Sequence, residues 1–293
     1  MSREPLAPIR EIGVLVNLDK PRVEEIVAKF VALAERLELA LLLPDGVAPR
    51  ASYPHLSEAV LVKRADAVVV FGGDGTLLRA ARLVAPRGIP ILGVDAGTLG
   101  FLTEAQPEEL ESLLPDFVAG RANLSERMNL EGEVLRDGET VARLVALNDI
   151  VIGRGGRTRL ARLDTTVGSD HVGTYLCDGL ILSTPTGSTA YSLSAGGPIV
   201  SPNLRVILAV PICPHTLTVR PLVVSEDDEI RVRPLRLTGD GVVTVDGQET
   251  YPLIEGDTVV VRCAPFVTRL VVTGRRPFYG LLRRKFRWGE REA

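Results

Sequence analysis

Cysteine is scarce in this chain, with three residues among 293. Cys177, Cys213 and Cys263 are odd in number, lie far apart and form no C-x-x-C pair. This spacing argues against a disulfide framework and against a zinc site. We therefore expect the three cysteines to serve as small buried apolar residues.

A large excess of charge is also missing, because 34 basic and 37 acidic residues leave a net charge of −3. Without a cationic field, non-specific binding to nucleic acid is not expected. No uninterrupted apolar run of about 18 residues could cross a bilayer, and no signal-peptide pattern opens the sequence. Together these absences predict a soluble, cytoplasmic protein that binds neither nucleic acid nor a membrane.

Hydrophobic residues make up 45% of the chain, enough for a substantial core that we expect to be divided between two domains. Strand and helix patterns alternate over the first hundred residues, which predicts a Rossmann-like α/β domain with a parallel sheet. From about Leu124, short strand-like runs and the turns Asp137-Gly138 and Asp246-Gly247 predict a mostly antiparallel β domain. The predicted boundaries are 1–121 for the α/β domain, with a C-terminal helix in 275–293 packing back on it, and 122–274 for the β-rich domain.

The first of two glycine-rich segments is Gly72-Gly73-Asp74-Gly75-Thr76, which follows a β-branched run. Glycines between a strand and a helix expose backbone N–H groups that bind phosphate oxygens. Asp74 would repel phosphates unless it binds a metal, accepts a proton or holds a ribose. A helix-capping role for this aspartate is the structural alternative. The loop matches neither the G-x-G-x-x-G fingerprint nor the Walker A loop.

The second segment, Thr184 to Pro198, reads TPTGSTAYSLSAGGP. Its hydroxyl groups and glycines indicate a ligand site at the end of a strand. Tyr191 has the alternative role of an ordinary core aromatic, and Asn148-Asp149, between two strand-like runs, has that of a simple turn.

Taken in order along the chain, these segments resemble the NAD kinases. The resemblance extends from about Ile12 to Phe286. The motif GGDGT alone is shared with diacylglycerol and sphingosine kinases and with phosphofructokinases, whereas TPTGSTAY makes the match specific. The matching stretches are Gly72 to Leu78, Leu92 to Leu102, Asn148-Asp149, Asp178 to Leu180, Thr184 to Tyr191, Pro214-His215, Arg220-Pro221 and Asp246 to Gln248.

The resemblance implies an enzyme that transfers a phosphoryl group from ATP or polyphosphate to the 2′-hydroxyl of the adenosine ribose of NAD, giving NADP. It implies that Asp74 is the general base, that the neighbouring glycines face the donor's phosphates, and that the active site lies between the two domains. The nucleotide-binding residues implied in this way are Gly72, Gly73, Asp74, Gly75, Arg79, Asn148, Asp149, Arg159, Asp178, Thr186, Thr189, Ala190, Tyr191, Ser194 and Gln248.

Mg²⁺ bridging the donor's oxygens is the implied cofactor. The sequence shows no dedicated carboxylate cluster, so we expect the ion to arrive with the nucleotide and to have no protein ligands. The resemblance also implies a homodimer or homotetramer. Three positions depart from the usual pattern: Asp149 stands where glutamate is common, Asp95 where asparagine is common, and Leu176 where some relatives are basic.

Two other functions stay open at this point. A kinase of a lipid or a sugar would share only the GGDGT segment, and the TPTGSTAY segment argues against it. A dinucleotide-sensing module without turnover would keep the fold, and Asp74 argues against that.

Overall fold

The computed structural model describes residues 7–44, 47, 55–97, 100–154, 161–237 and 241–288. The chain forms two compact units, Met1–Glu126 with Thr268–Ala293, and Arg127–Val267. Within the described part of the chain, no helix is both long enough and apolar enough to cross a membrane.

The first unit contains a parallel sheet with the strand order β5-β4-β1-β2-β3. This confirms the α/β class predicted from the alternation of strand and helix patterns. Its elements are β1 (Glu11–Val16), α1 (Val23–Arg36), β2 (Ala40–Pro44), β3 (His55–Leu56), α2 (Glu58–Arg64), β4 (Ala67–Gly72), α3 (Asp74–Val84), β5 (Ile91–Asp95), α4 (Leu110–Val118) and the C-terminal α6 (Phe278–Phe286).

Side chains alternate across this sheet and so separate its two faces. Ile12 and Val14 belong to a core cluster that includes Phe30 of α1 and Leu114 of α4. On the other face, glycine allows a close approach, because a Cβ on Gly13 would lie 2.5 Å from Leu61 Cδ2 of α2. Helices therefore cover both faces, as a fully buried parallel sheet requires.

The second unit is antiparallel, as predicted. One sheet has the order β13-β12-β11-β8-β15-β16. The strands β10, β9, β14 and the first part of β17 form a second antiparallel ladder, and β6 pairs with β7. The elements are β6 (Asn123–Arg136), β7 (Glu139–Ala146), β8 (Asp149–Arg154), β9 (Ala161–Val167), β10 (Asp170–Cys177), β11 (Gly179–Ser183), α5 (Tyr191–Ser194), β12 (Val206–Ile212), β13 (Leu222–Ser225), β14 (Ile230–Arg236), β15 (Gly241–Val245), β16 (Glu249–Leu253) and β17 (Thr258–Val272).

The core of the second unit is formed by alternating residues from these strands. Ile150 and Ile152 of β8, Leu180 and Leu182 of β11, and Val243 of β15 belong to one buried cluster. The intervening residues of β8 and β15 therefore face the opposite side of the sheet.

Two of the three cysteines are not buried, contrary to the expectation from the sequence. All three are free, but Cys177 alone is buried, whereas Cys213 is exposed and Cys263 is half-buried. Burial raises the pKa of the Cys177 thiol to about 11, so this cysteine is a packing residue and not a reactive thiolate.

Candidate active site

Asp74 is the first residue of α3, directly beyond the carboxyl end of β4. Its Oδ2 accepts a hydrogen bond from the Phe101 N–H at 2.8 Å, and its Oδ1 accepts one from the Leu102 N–H at 2.9 Å. The cap position of the helix is Gly73, and no side chain bonds the helix start there. The half-buried carboxylate is therefore held by a neighbouring loop and does not cap its own helix, which removes the structural alternative.

Glycine is required around this carboxylate for reasons of space. A Cβ on Gly100 would lie 1.9 Å from Asp74 Oδ1, and one on Gly72 would lie 2.3 Å from Thr76 Oγ1. At Gly73 a Cβ would meet nothing within 4 Å among the described residues, so this backbone is open to a ligand. Gly75 is exposed at the start of the helix.

Arg79 lies one turn further along α3, where its Nη2 is 2.7 Å from Glu58 Oε1. It lines a small cavity of about 180 Å³ in the first unit, together with Thr76 and Leu18. In this structure the guanidinium group is paired with a carboxylate.

The second unit contains a larger pocket of about 520 Å³. Its floor is the sheet face opposite the core, formed by Val151 and Gly153 of β8 and by Val242 and Thr244 of β15. Asp149 begins β8 and Arg154 ends it. Because a strand rises about 3.4 Å per residue, these ends are about 17 Å apart. The pocket is long enough for an extended ligand with several polar groups.

Asp246 shapes the first end of this pocket. Its carboxylate accepts the N–H groups of Asn148 at 2.8 Å, of Asp149 at 3.2 Å and of Leu147 at 3.3 Å. Its own N–H donates to the carbonyl of Asp149 at 2.9 Å. The segment Leu147 to Asp149 is therefore not a free surface turn, because the buried carboxylate of Asp246, in the turn after β15, fixes it.

Asp149 is 4% exposed, and its carboxyl group lies close to that of Asp246. Burial, and then the negative charge of Asp246, raise the pKa of Asp149 to about 7. No ion pair with a described residue offsets the cost of ionising Asp149 in this buried position. A strongly shifted carboxyl group at the end of a pocket is typical of a functional site.

The other end of the pocket carries an ion pair. Arg154 Nη2 lies 3.0 Å from Asp178 Oδ1, and both side chains are about one-third exposed. Arg154 is the cation among the described lining residues, which also include Asp149, Asp178 and Asp246. This excess of carboxylates favours hydroxyl and amino groups of a ligand over bare phosphates.

The hydroxyl-bearing side chains of the second glycine-rich segment include buried ones, such as Thr184 and Ser188, and the exposed Tyr191. Thr184 Oγ1 donates to the carbonyl of Leu147 at 2.6 Å, and Ser188 Oγ donates to the carbonyl of Pro185 at 2.6 Å. These buried side chains tie the loop to the Leu147–Asp149 segment and to itself. Tyr191 is 47% exposed and lines the pocket with Ala190, so it is not a core aromatic.

The structure brings Asn148, Asp149, Asp178, Ala190 and Tyr191 together in one pocket. Thr186 is buried and does not line this pocket, and its carbonyl accepts a hydrogen bond from Thr189 Oγ1 at 3.4 Å. Ser194 and Gln248 are exposed and are also not among the lining residues. Arg159 lies outside the described residues. Within the described part of the chain, no group of three or more His, Cys, Asp or Glu side chains is arranged to hold a metal ion.

Sequence reasoning missed the roles of Arg154, Asp246, Gly100 and Phe101. The Asp246-Gly247 pair was interpreted as a turn, and a φ of 49° at Asp246 agrees with that. An aspartate that bonds a segment about one hundred residues away leaves no local signal. For Gly100 and Phe101 the available signal was their place in the matching stretch Leu92 to Leu102.

Comparison with known proteins identifies the family of this chain. Residues 45–122 match the family model described as the ATP-NAD kinase N-terminal domain, and residues 147–273 match the ATP-NAD kinase C-terminal domain. The chain is 44% identical to the NAD kinase of Heliobacterium modesticaldum over 95% of its length and 99% of that protein. It is 45% identical to the NAD kinase of Moorella thermoacetica, over 96% of the chain and 90% of that protein.

Solved structures agree with these relatives. Yeast NADH kinase complexed with NADH has a TM-score of 0.89 at 28% identity, covering 98% of this chain and 90% of that one. An NAD kinase from Archaeoglobus fulgidus in complex with ATP has a TM-score of 0.74 at 27% identity, covering 93% and 97%. The chain therefore belongs to the NAD kinase family, the phosphotransferases that convert NAD to NADP.

Proposed function

We propose that this enzyme transfers the γ-phosphoryl group of ATP to the 2′-hydroxyl of the adenosine ribose of NAD, with Asp74 as the group that accepts the hydroxyl proton. The observation that carries the proposal is the fixed, half-buried carboxylate of Asp74 beside the open backbone of Gly73. Phosphoryl transfer passes through a loose transition state, so the alignment of the hydroxyl matters more than a strong base.

NAD binds to the pocket of the second unit in this proposal. The carboxylates of Asp149 and Asp178 accept hydrogen bonds from hydroxyl or amino groups of the dinucleotide, and the exposed ring of Tyr191 offers a face for stacking. Arg154 supplies a positive charge close to Asp178, and this charge can offset the negative charge of a ligand phosphate. The yeast enzyme was solved in complex with NADH and the Archaeoglobus enzyme in complex with ATP, which supports these two ligand classes.

In this proposal the donor's phosphates bind at the start of α3, beside Gly73, where the helix dipole favours negative charge. A Mg²⁺ ion carried by ATP would be held by the donor's phosphates, and its charge would offset their repulsion from Asp74. Polyphosphate, which also carries a transferable phosphoryl group, is a second donor in this proposal. We also propose a homodimer or homotetramer as the working assembly.

Asp74→Asn tests this proposal. We expect NADP formation to fall by about 10²-fold or more, a typical contribution of a general base, while NAD affinity measured by calorimetry changes less than about twofold. The affinity should persist because the residues that line the pocket of the second unit are unchanged, and because the asparagine amide can still form a hydrogen bond with the ribose hydroxyl.

Asp66→Asn is the matched control for this experiment. Asp66 Oδ2 accepts the N–H groups of Arg10 and Glu11, both at 2.9 Å, so the variant weakens a similar pair of backbone bonds before β4. We expect Asp66→Asn to keep its turnover. Unchanged turnover in Asp74→Asn, or an equal fall in both variants, would remove Asp74 from the proposed role.

A further inference from the structure

The loop that holds Asp74 is held in turn by the C-terminal part of the chain. Phe101 donates its N–H to Asp74, and its ring faces the ring of Phe286 in α6, with centroids 6.2 Å apart and an interplanar angle of 34°. Lys285 Nζ lies 4.8 Å from the centroid of the same Phe101 ring. A single residue therefore contacts Asp74 with its backbone and the C-terminal helix with its side chain.

The same loop is anchored a second time, a few residues further on. Glu104 Oε2 accepts the N–H of Thr273 at 2.8 Å, and the carbonyl of Glu104 accepts a bond from the Arg276 guanidinium. Arg276 also reaches Glu109, with Nη2 3.1 Å from Oε2. These contacts fix the chain that leads into α6 against the segment that follows Leu102.

The helix itself is well placed to act as a support. Leu281 and Leu282 are buried, at 7% and 1% exposed, which seats α6 on its unit. The ring of Phe286 also stacks on Trp288 at 5.7 Å and 29°. Phe101 is thus packed against a ring that is itself held by Trp288, and this contact restricts where the backbone of Phe101 can lie.

We propose that Phe286 is a positioning residue for the phosphoryl-transfer step, and that α6 sets the position of Asp74 through Phe101. This inference rests on the proposed role of Asp74 as the proton acceptor. If the ring of Phe286 is removed, Phe101 loses its packing partner, its N–H moves, and the carboxylate of Asp74 loses one of its two fixed bonds. A small displacement of a reacting group is enough to slow a reaction strongly.

The test is the kcat and the KM for NAD of Phe286→Ala. We expect kcat to fall about tenfold, while KM for NAD changes less than about twofold because the NAD pocket belongs to the second unit. Phe286→Tyr, which keeps the ring, should restore kcat. Phe101→Leu, which keeps the backbone N–H but loses the ring contacts, should reproduce the fall if Phe286→Ala proves too unstable to assay.

Tyr279→Ala is the matched control, because Tyr279 is an aromatic residue of the same helix that is 71% exposed and packs on Phe278. It should leave kcat unchanged. A fall in kcat for Tyr279→Ala equal to that for Phe286→Ala, or no fall in Phe286→Ala, would overturn the inference.

The double variant Asp74→Asn/Phe286→Ala separates this inference from the proposed function. If Phe286 acts through Asp74, removing the ring should cause no further fall once the carboxylate is gone. A further tenfold fall would show that Phe286 acts by another route. A full kcat in Asp74→Asn alone would instead refute the proposed role of Asp74, whatever the behaviour of Phe286.

Discussion

Ionisation of Asp149 is expected to oppose folding. Its carboxyl group is buried beside Asp246, and its pKa is raised to about 7. An aspartate in an unfolded chain ionises near pH 4. Between these values the folded protein holds an additional proton, so folding becomes less favourable as the pH rises through this window. The cost of ionised Asp149 is fully present above pH 7 and disappears below about pH 4.

Asp149→Asn should therefore stabilise the protein in a pH-dependent way. At pH 8 we expect a gain on the order of 1–3 kcal/mol, seen as a rise of about 4 °C in melting temperature. The gain should shrink when the same melts are recorded at pH 5. Equal shifts at the two pH values would show that the effect comes from packing and not from ionisation. A rise in KM for NAD in the same variant would indicate that the carboxylate is retained for binding.

At the scale of elements, the loop after β11 is shaped by its contact with the segment Leu147 to Asp149. A Cβ on Gly187 would lie 2.2 Å from the carbonyl oxygen of Asn148 and 2.6 Å from Ser183 Oγ. The first of these atoms is backbone and cannot move aside easily. The position therefore needs glycine because two loops approach closely, and not because of an unusual φ.

Gly187→Ala should displace the loop that carries Ala190 and Tyr191. We expect KM for NAD to rise about tenfold, in line with the loss of about 1.4 kcal/mol of binding. Gly280→Ala serves as the control, since its Cβ would make an ordinary contact at 3.4 Å with Pro277 Cγ. Unchanged KM in Gly187→Ala would show that the loop can relax without disturbing the pocket.

Periodicity predicted the regular elements well and the irregular ones poorly. The apolar runs 12–16, 67–71 and 89–94 predict strands, and the structure has β1, β4 and β5 there. By contrast, the sequence pattern predicts two strands, 258–262 and 268–272, whereas the structure shows one strand, Thr258–Val272, with Pro265 inside it. The pattern does not predict helix α4, which contains Pro115.

The same limit applies to the site. Asp74 and the TPTGSTAY segment could be found because short motifs hold them together in the sequence. The hydrogen bonds from Phe101 and Leu102 to Asp74 join residues 27 and 28 positions apart. Those from Leu147, Asn148 and Asp149 to Asp246 join residues 97 to 99 positions apart. Nothing in local composition marks such pairs, since the fold creates them.

At the scale of the whole molecule, the second unit contains an ion pair whose carboxylate is buried. Arg136 Nε and Nη2 each lie 2.9 Å from an oxygen of Asp257, whose side chain is fully buried. Asp257 also accepts the Ile254 N–H at 2.9 Å. The hydrogen bond from Arg136 lowers the pKa of Asp257, so this stabilisation is present above about pH 4 and is lost as the pH falls through that lowered pKa.

Asp257→Asn should lower the stability of the second unit at pH 7 by on the order of 2 kcal/mol, because it leaves Arg136 without its charged partner. The expected fall in melting temperature is about 5 °C. Arg143→Ala removes a pair with Glu133 in which Arg143 is 76% exposed, and it should change the melting temperature by about 1 °C or less. Equal shifts in the two variants would show that burial adds nothing to this pair.

The three bonds that Asp246 accepts from residues 147–149 also constrain when this wall of the pocket can form during synthesis. Asn148 and Asp149 lie about halfway along the sequence, but the carboxylate that fixes them comes from position 246 of 293. A nascent chain therefore cannot complete this wall of the pocket until Asp246 has been translated.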